Sequence, residues 1–342
     1  MKAVQLMKYD VAPELVDVPE PDVAAPFDII VQDRRRWGLS NRPTHHRGSV
    51  GREVRRVLPY TLGHENAGWV SAVGSAVTNV AVGDPVILHP LVTCGLCRAC
   101  RDGDDVHCEN SAFPGIDSDG GYAEYLKTSA RSAIKLDAAL EPAGVAALAD
   151  AGLTAYHAVA EGGSKAPPRR PGSDHRRRWT RTHRRAGASR PCSPVEMIVV
   201  DRNADALALA SDLGADHTVV SNDDTVGAVL DLTDGKGAEA VIDFVGEGGA
   251  VEMGVACLRR NGSYYVIGYG GSINVLAIDI ISTEINFIGN LVGSYNDLAE
   301  LMVLAARGQV TLHTSTYPLT DFQKALDDLD HGKVRGRAIL VP

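Results

Sequence analysis

The sequence predicts an α/β protein of two domains, a hairpin-rich β domain followed by a doubly wound parallel sheet. Three observations predict it. From Val195 onward, apolar strands alternate with segments of helical spacing, the order expected of right-handed βαβ units. Residues 1–31 alternate in β fashion between prolines 13, 19, 21 and 26. A chain of 342 residues also exceeds what one hydrophobic core usually serves.

Taken in order, the first strands centre on Ala3, Val4 and Leu6, then Leu15, Val16 and Val18, then Ile29, Ile30 and Val31. Residues 32–57 break that pattern with arginine and histidine runs, and order returns at Leu58. Residues 67–92 read as strands split by Gly74 and by Gly83-Asp84, and Gly120-Gly121 leads into another. Helical spacing covers 141–160, after which a second broken stretch runs from Gly162 to Pro194. Then come strand Met197–Asp201, helix 203–213, strand Gly214–Val220, helix 224–233, strand Ala240–Val245, helix 249–258 and strand Ser263–Ile267. The tail supplies helix 296–307, a strand near Val310–Tyr317, helix 320–331 and strand Ala338–Val341.

The strongest chemical signal is Cys94-Gly-Leu-Cys97-Arg-Ala-Cys100 with Cys108. Four thiolates at this spacing reach one tetrahedral centre, the arrangement of a closed structural zinc site, with disulfides and an iron–sulfur cluster as the alternatives. A closed shell does no chemistry, so a reactive centre lies elsewhere. His64-Glu65 pairs an imidazole with a carboxylate, and Asp150 places an acid inside the apolar run Ala-Leu-Ala-Asp-Ala-Gly-Leu, where it is costly unless paired or ligating. A capping aspartate is the plainer account of Asp150. Asp201 ends the strand Met-Ile-Val-Val-Asp; an acid there accepts from the adenosine ribose of a dinucleotide and repels a 2′-phosphate, or else caps the next helix.

Read together, Thr61-Leu-Gly-His-Glu-Asn-Ala-Gly-Trp-Val, the four-cysteine lobe, Asp150-Ala-Gly-Leu-Thr-Ala-Tyr-His, Asp243-Phe-Val-Gly and Val334-Arg-Gly-Arg-Ala-Ile-Leu-Val-Pro resemble the zinc-dependent medium-chain alcohol dehydrogenases, closest to the bacterial NAD-dependent secondary-alcohol type. The resemblance spans 1–31, 58–161 and 195–342. It implies a β-rich, chaperonin-10-like catalytic domain from 1–155 and 291–342, its structural zinc lobe at 94–108, and a Rossmann domain at 156–290. It further implies His64 and Asp150 as catalytic-zinc ligands with Glu65 beside them, and Cys94, Cys97, Cys100 and Cys108 around the structural Zn2+. Thr154 would face the nicotinamide of NAD, Asp201 the ribose and Arg337 the pyrophosphate. Val245-Gly246, Ile267-Gly268 and Leu291-Val292-Gly293 would offer backbone to the cofactor. The implied reaction is hydride transfer between a secondary or primary alcohol and NAD, giving a ketone or aldehyde, in a homodimer or homotetramer.

Two family motifs are absent where the pattern breaks. The first, Gly-x-Cys-x-Thr-Asp-x-His, carries the third zinc ligand; the second, Gly-x-Gly-x-x-Gly, meets the pyrophosphate. The chain reads instead Trp37-Gly-Leu-Ser-Asn-Arg-Pro-Thr-His-His46 and Trp179-Thr-Arg-Thr-His-Arg-Arg185. Codons compatible with Trp179–Arg185, read one base later, give Gly-Pro-Gly-Pro-Ile-Gly. Those compatible with Trp37–His45 give Gly-Ala-Cys-Arg-Thr-Asp-Leu-His. Compensating frame errors over about 33–57 and 163–194 account for both, and codons that cannot yield these motifs would refute the idea. As written, with no cysteine near 39, the alternative expectation is a zinc-stabilised but catalytically inactive homologue.

Composition narrows the function classes. The net charge of −9 argues against a general affinity for nucleic acid, although 17 of 26 arginines fall within 34–56 and 169–190. No run approaches 18 apolar residues and the N-terminus lacks a secretory apolar stretch, so no membrane partner and a cytoplasmic location are expected. Zinc-free quinone reduction would leave His64-Glu65 and the cysteines without a purpose.

Overall fold

The structure is a computed structural model that describes residues 1–32, 37–39, 58–164, 177–179, 195–334 and 336–341. It divides into two compact units, Met1–Leu153 with Val292–Pro342, and Thr154–Leu291.

The first unit holds strands β1 (Lys2–Leu6), β2 (Glu14–Asp17), β3 (Asp28–Gln32), β4 (Trp37–Leu39), β5 (Tyr60–Thr61), β6 (Ala67–Val73), β7 (Pro85–Leu88), β8 (Tyr125–Ser129) and β9 (Ala133–Lys135). Its five-stranded sheet runs β8-β3-β6-β7-β9, every pair antiparallel. Val4, Ile29, Val31, Val70, Val86 and Leu88, all buried, fill its core with Leu340 from the C-terminal end of the chain. Period-two alternation makes such strands, because one face must bury while the other meets water. Between β7 and β8 the cysteine lobe carries one short helix, α1 (Arg98–Asp102).

The segment predicted as one helix over 141–160 is broken. It comprises α2 (Pro142–Val145), a 3-10 turn at Ala146–Leu148, and α3 (Ala151–Ser164), with Asp150 at the break. Pro142 starts the first piece, as its fixed φ and missing N–H allow at a helix entrance.

The second unit is a six-stranded sheet built from β10 (Arg177–Trp179), β11 (Val195–Asp201), β12 (His217–Val220), β13 (Ala238–Asp243), β14 (Leu258–Val266) and β15 (Asn286–Gly289). Its order, β12-β11-β10-β13-β14-β15, is that of the doubly wound dinucleotide fold, and every pairing is parallel. Helices α4 (Ala204–Asp212), α5 (Thr225–Leu232), α6 (Ala250–Ala256) and α7 (Ala277–Thr283) alternate with the strands. Ile198, Val229, Val241 and Tyr264 lie in one core cluster, and Ala158, Ala240 and Tyr265 in another.

Three expectations are corrected. The strand predicted from Gly214 begins only at His217, because Gly214 takes a left-handed φ of 93°. The broken stretch 162–194 contains the end of α3 and the central strand β10, which pairs with β11 and β13 although its sequence Arg-Arg-Trp carries no strand pattern. Helix α7 and strand β15 were not anticipated; α7 buries none of its residues, so it lacks the apolar-in pattern that marks a helix.

The chain ends in the first unit with α8 (Tyr295–Ala306), β16 (Thr314–Pro318), α9 (Phe322–Asp330) and β17 (Arg337–Val341). Ser294 and Asp297 close a capping box on α8, satisfying two otherwise orphaned amides. β17 pairs with β16 on one side and β4 on the other, with Ala338 opposite Leu39.

Candidate metal centres and cofactor ledge

The four ligand sulfurs of Cys94, Cys97, Cys100 and Cys108 all lie within 4.8 Å of one another, and Cys94 Sγ is 4.0 Å from Cys100 Sγ. Those spacings suit one tetrahedral ion with sulfur at about 2.3 Å. All four are free thiols, which removes the disulfide alternative. The amide of Cys94 donates to Cys108 Sγ at 3.2 Å, while those of Leu96 and Cys97 donate to Cys94 Sγ at 3.4 Å. These amides hold the Cys94 thiol down at about 6, whereas burial pushes Cys100 up to about 12. A dication is what draws the proton from the whole set, so the donor chemistry fits zinc. Among the described residues this is the one cluster of three or more metal-ligand side chains.

The lobe is tied to α8. Asp105, buried between Cys100 and Cys108, accepts from Tyr295 N at 2.9 Å, and Thr93 Oγ1 donates to its other oxygen at 3.3 Å. Arg131 Nε in turn donates to Thr93 Oγ1 at 3.0 Å.

His64 and Asp150, 86 residues apart in sequence, meet at Nε2–Oδ2, 3.2 Å. Gly63 makes the approach feasible: its φ is +99°, and a Cβ there would sit 2.2 Å from the Tyr122 ring. Phe113 presents an edge-to-face ring at 5.6 Å from His64. Burial disfavours the imidazolium, but the Asp150 hydrogen bond and the carboxylates of Asp150 and Glu65 outweigh it and raise the His64 pKa.

Glu65 is fully buried, and its Oε1 accepts from Ala151 N at 3.2 Å and from Arg337 Nη2. Burial raises its pKa in spite of the guanidinium. Glu65 Oε2 and Arg337 Nε are buried without a hydrogen-bond partner among the described residues. An acceptor and a donor left open this way call for partners, and a cation and an anion have the matching charges. The Glu65–Arg337 pairing was not foreseen, since nothing in spacing links residues 272 positions apart.

The cofactor candidates of the second unit lie at or just beyond the carboxyl ends of the sheet strands, apart from Thr154, which lies in the first turn of α3. Asp201 ends β11 and its Oδ1 accepts from Asn203 N at 2.8 Å. Asp243 ends β13 and receives Val245 N at 2.7 Å, Gly246 N at 3.1 Å and Tyr264 Oη at 2.5 Å, which fixes the Val245–Gly246 turn. Gly246, at φ +65°, lies so close to Gly268 that a Cβ would fall 2.2 Å from its carbonyl oxygen. The Ile267–Gly268 turn is held by their amides on Asp243 O, at 3.1 and 2.8 Å. Asn290 Nδ2 donates to Thr154 O at 3.5 Å. In the first unit Val292 is buried at φ +48°, a conformation rare for a β-branched residue. The residues where the two absent motifs belong lie largely outside the described ones.

A closed four-sulfur lobe within a β-rich unit, together with a six-stranded sheet of dinucleotide-fold order, defines a zinc-binding dehydrogenase. Family matches agree: the alcohol dehydrogenase GroES-like domain covers residues 37–138, and the zinc-binding dehydrogenase domain covers 192–307. The chain is 30% identical to an NAD-dependent alcohol dehydrogenase of Sulfurisphaera tokodaii, with 100% of both chains covered. It is 32% identical to a D-arabinose 1-dehydrogenase (NADP(+)) of Saccharolobus solfataricus, covering 100% of this chain and 97% of that one. Among solved structures, the alcohol dehydrogenase of Aeropyrum pernix superposes with a TM-score of 0.89 at 37% identity over 100% of both chains. The chain belongs to the zinc-dependent medium-chain alcohol dehydrogenases, with the chaperonin-10-like and Rossmann folds its sequence predicted. It is an NAD-linked oxidoreductase by that membership.

Proposed function

We propose that this chain interconverts a secondary or primary alcohol with its ketone or aldehyde, using NAD, at a centre formed by His64 and Asp150. The observation that carries the reading is the partly buried His64–Asp150 pair flanked by Glu65, whose second oxygen has no partner among the described residues. Zinc bound there would polarise the alcohol oxygen, and NAD would accept the hydride. His64 and Asp150 would offer one nitrogen and one carboxylate oxygen, while Glu65 keeps a negative charge beside them and Arg337 holds Glu65 in place. Cys94, Cys97, Cys100 and Cys108 would hold the second, structural zinc.

On the cofactor side, Asp201 would accept from the adenosine ribose and disfavour a 2′-phosphate, which supports NAD over NADP. Arg337 Nε, a buried donor without an acceptor among the described residues, suits a pyrophosphate oxygen. Thr154, Val245-Gly246, Ile267-Gly268 and Leu291-Val292-Gly293 would contact the nicotinamide half. Assembly as a homodimer or homotetramer and a cytoplasmic location belong to the same reading; edge strand β15 and exposed Leu276, Ile278 and Ile281 around α7 support self-association. No helix among the described residues is long and apolar enough to cross a membrane.

The test is NAD-linked oxidation of a panel of primary and secondary alcohols with zinc counted per chain. Activity that disappears with a chelator and returns with zinc supports the proposal. Absence of turnover in zinc-loaded protein that still binds NAD would favour the inactive alternative.

A further inference from the structure

His89 follows β7 and is 2% exposed, yet the catalytic reading gives it no task. Its Nδ1 lies 3.0 Å from Leu91 O and its Nε2 2.9 Å from Gly293 O, 204 residues further along the chain. Tyr295 packs against the ring at 6.3 Å between centroids. Gly293 directly follows Val292, whose φ of +48° crowds a β-branched side chain against its own backbone. Such a conformation persists only where the surroundings fix it from several sides.

Here they do. His89 holds the carbonyl of Gly293, Ser294 and Asp297 box the next helical turn, and Asp105 of the cysteine lobe accepts the amide of Tyr295. A strained backbone anchored on both flanks is a device for presenting peptide groups in one fixed direction, and such strain concentrates at ligand clamps.

We infer that His89 is a positioning residue that holds the Leu291–Val292–Gly293 turn in its strained form for the nicotinamide half of the cofactor. The inference rests on the proposed NAD site. With the ring proton on Nε2, His89 donates to the Gly293 carbonyl; without the imidazole that carbonyl loses its buried donor and the turn relaxes toward negative φ at Val292. The peptide groups facing the nicotinamide then move, whereas the ribose contact at Asp201 stays.

The experiment compares NAD with ADP-ribose, which lacks the nicotinamide, by calorimetric titration of wild type, His89→Phe and His89→Gln. His89→Phe keeps an aromatic ring, somewhat larger than imidazole, and removes both nitrogens; His89→Gln retains an amide donor. The expected result is an NAD affinity about tenfold weaker in His89→Phe, ADP-ribose affinity within about twofold of wild type, and substantial recovery of NAD binding in His89→Gln. Equal NAD affinity in wild type and His89→Phe, or equal loss for both ligands, would overturn the inference. Wild type that binds neither ligand would instead overturn the cofactor reading beneath it. Should His89→Phe not fold, His89→Leu, which is smaller and likewise lacks both nitrogens, decides by the same titrations: loss of NAD affinity with ADP-ribose affinity kept supports the inference, and affinities equal to wild type overturn it.

Discussion

Arg337 donates to Glu65, a carboxylate with no exposure to solvent, in the strand next to the one that carries position 39. Removing one partner of a buried ion pair strands the other charge and costs about 3–5 kcal/mol, more than the pair itself contributes. Arg337→Met is therefore expected to lower unfolding stability by about that amount, and Glu65→Gln/Arg337→Met by clearly less. Urea denaturation of the two single variants and the double closes the cycle. Additive losses would show that the two side chains act independently.

The cysteine lobe is expected to bind zinc with stoichiometry one, independently of the His64 centre. Cys108→Ser removes a ligand from a closed shell, and loss of a structural metal belongs among the changes that cost more than about 4 kcal/mol. Zinc per chain should fall by one and the melting temperature should drop, with the larger effect in the presence of a chelator. Unaltered zinc content in Cys108→Ser would argue against the four-sulfur site.

Legibility differed across the chain for physical reasons. The cysteine spacing and the βαβ rhythm are local, so Cys94–Cys108 and β11–β14 could be read directly. Asp150 stood out because an acid in an apolar run needs a partner, and His64 is within hydrogen-bond reach. The Glu65–Arg337 pair and the His89 bridge join residues more than 200 positions apart, and no periodicity encodes them. β10 was invisible for another reason: Arg177 and Arg178 have no strand pattern of their own, and only the pairing with β11 and β13 shows the element.

Strand pairing also places position 39 opposite Ala338, next in β17 to Arg337, whose side chain reaches Glu65. That is where the reading frame shifted by one base puts a cysteine. Leu39→Cys is expected to supply a thiolate to the His64–Asp150 centre and tighten zinc there by more than the roughly 10–100-fold that an outer-shell partner is worth. Zinc surviving dialysis should rise toward two per chain. An unchanged count would mean that position 39 does not reach the centre.

The Tyr264–Asp243 bond sets a pH limit on the nucleotide domain. Tyr264 is fully buried, and burial together with the Asp243 carboxylate raises its pKa above the ordinary value of 10.0. Below that value the phenol is protonated in both folded and unfolded chains, so stability is complete. Above it the unfolded phenol ionises and the folded one does not, and stability falls as pH climbs, by up to about 1.4 kcal/mol per pH unit from this group. Tyr264→Phe should cost about 1–3 kcal/mol near neutrality, because Asp243 loses a donor, and should flatten the alkaline decline. Asp243 keeps the amides of Val245 and Gly246, so the cofactor turn should survive the substitution. Urea midpoints at pH 8 and pH 11 for both proteins provide the check. Equal alkaline slopes would show that Tyr264 ionises alike in both states.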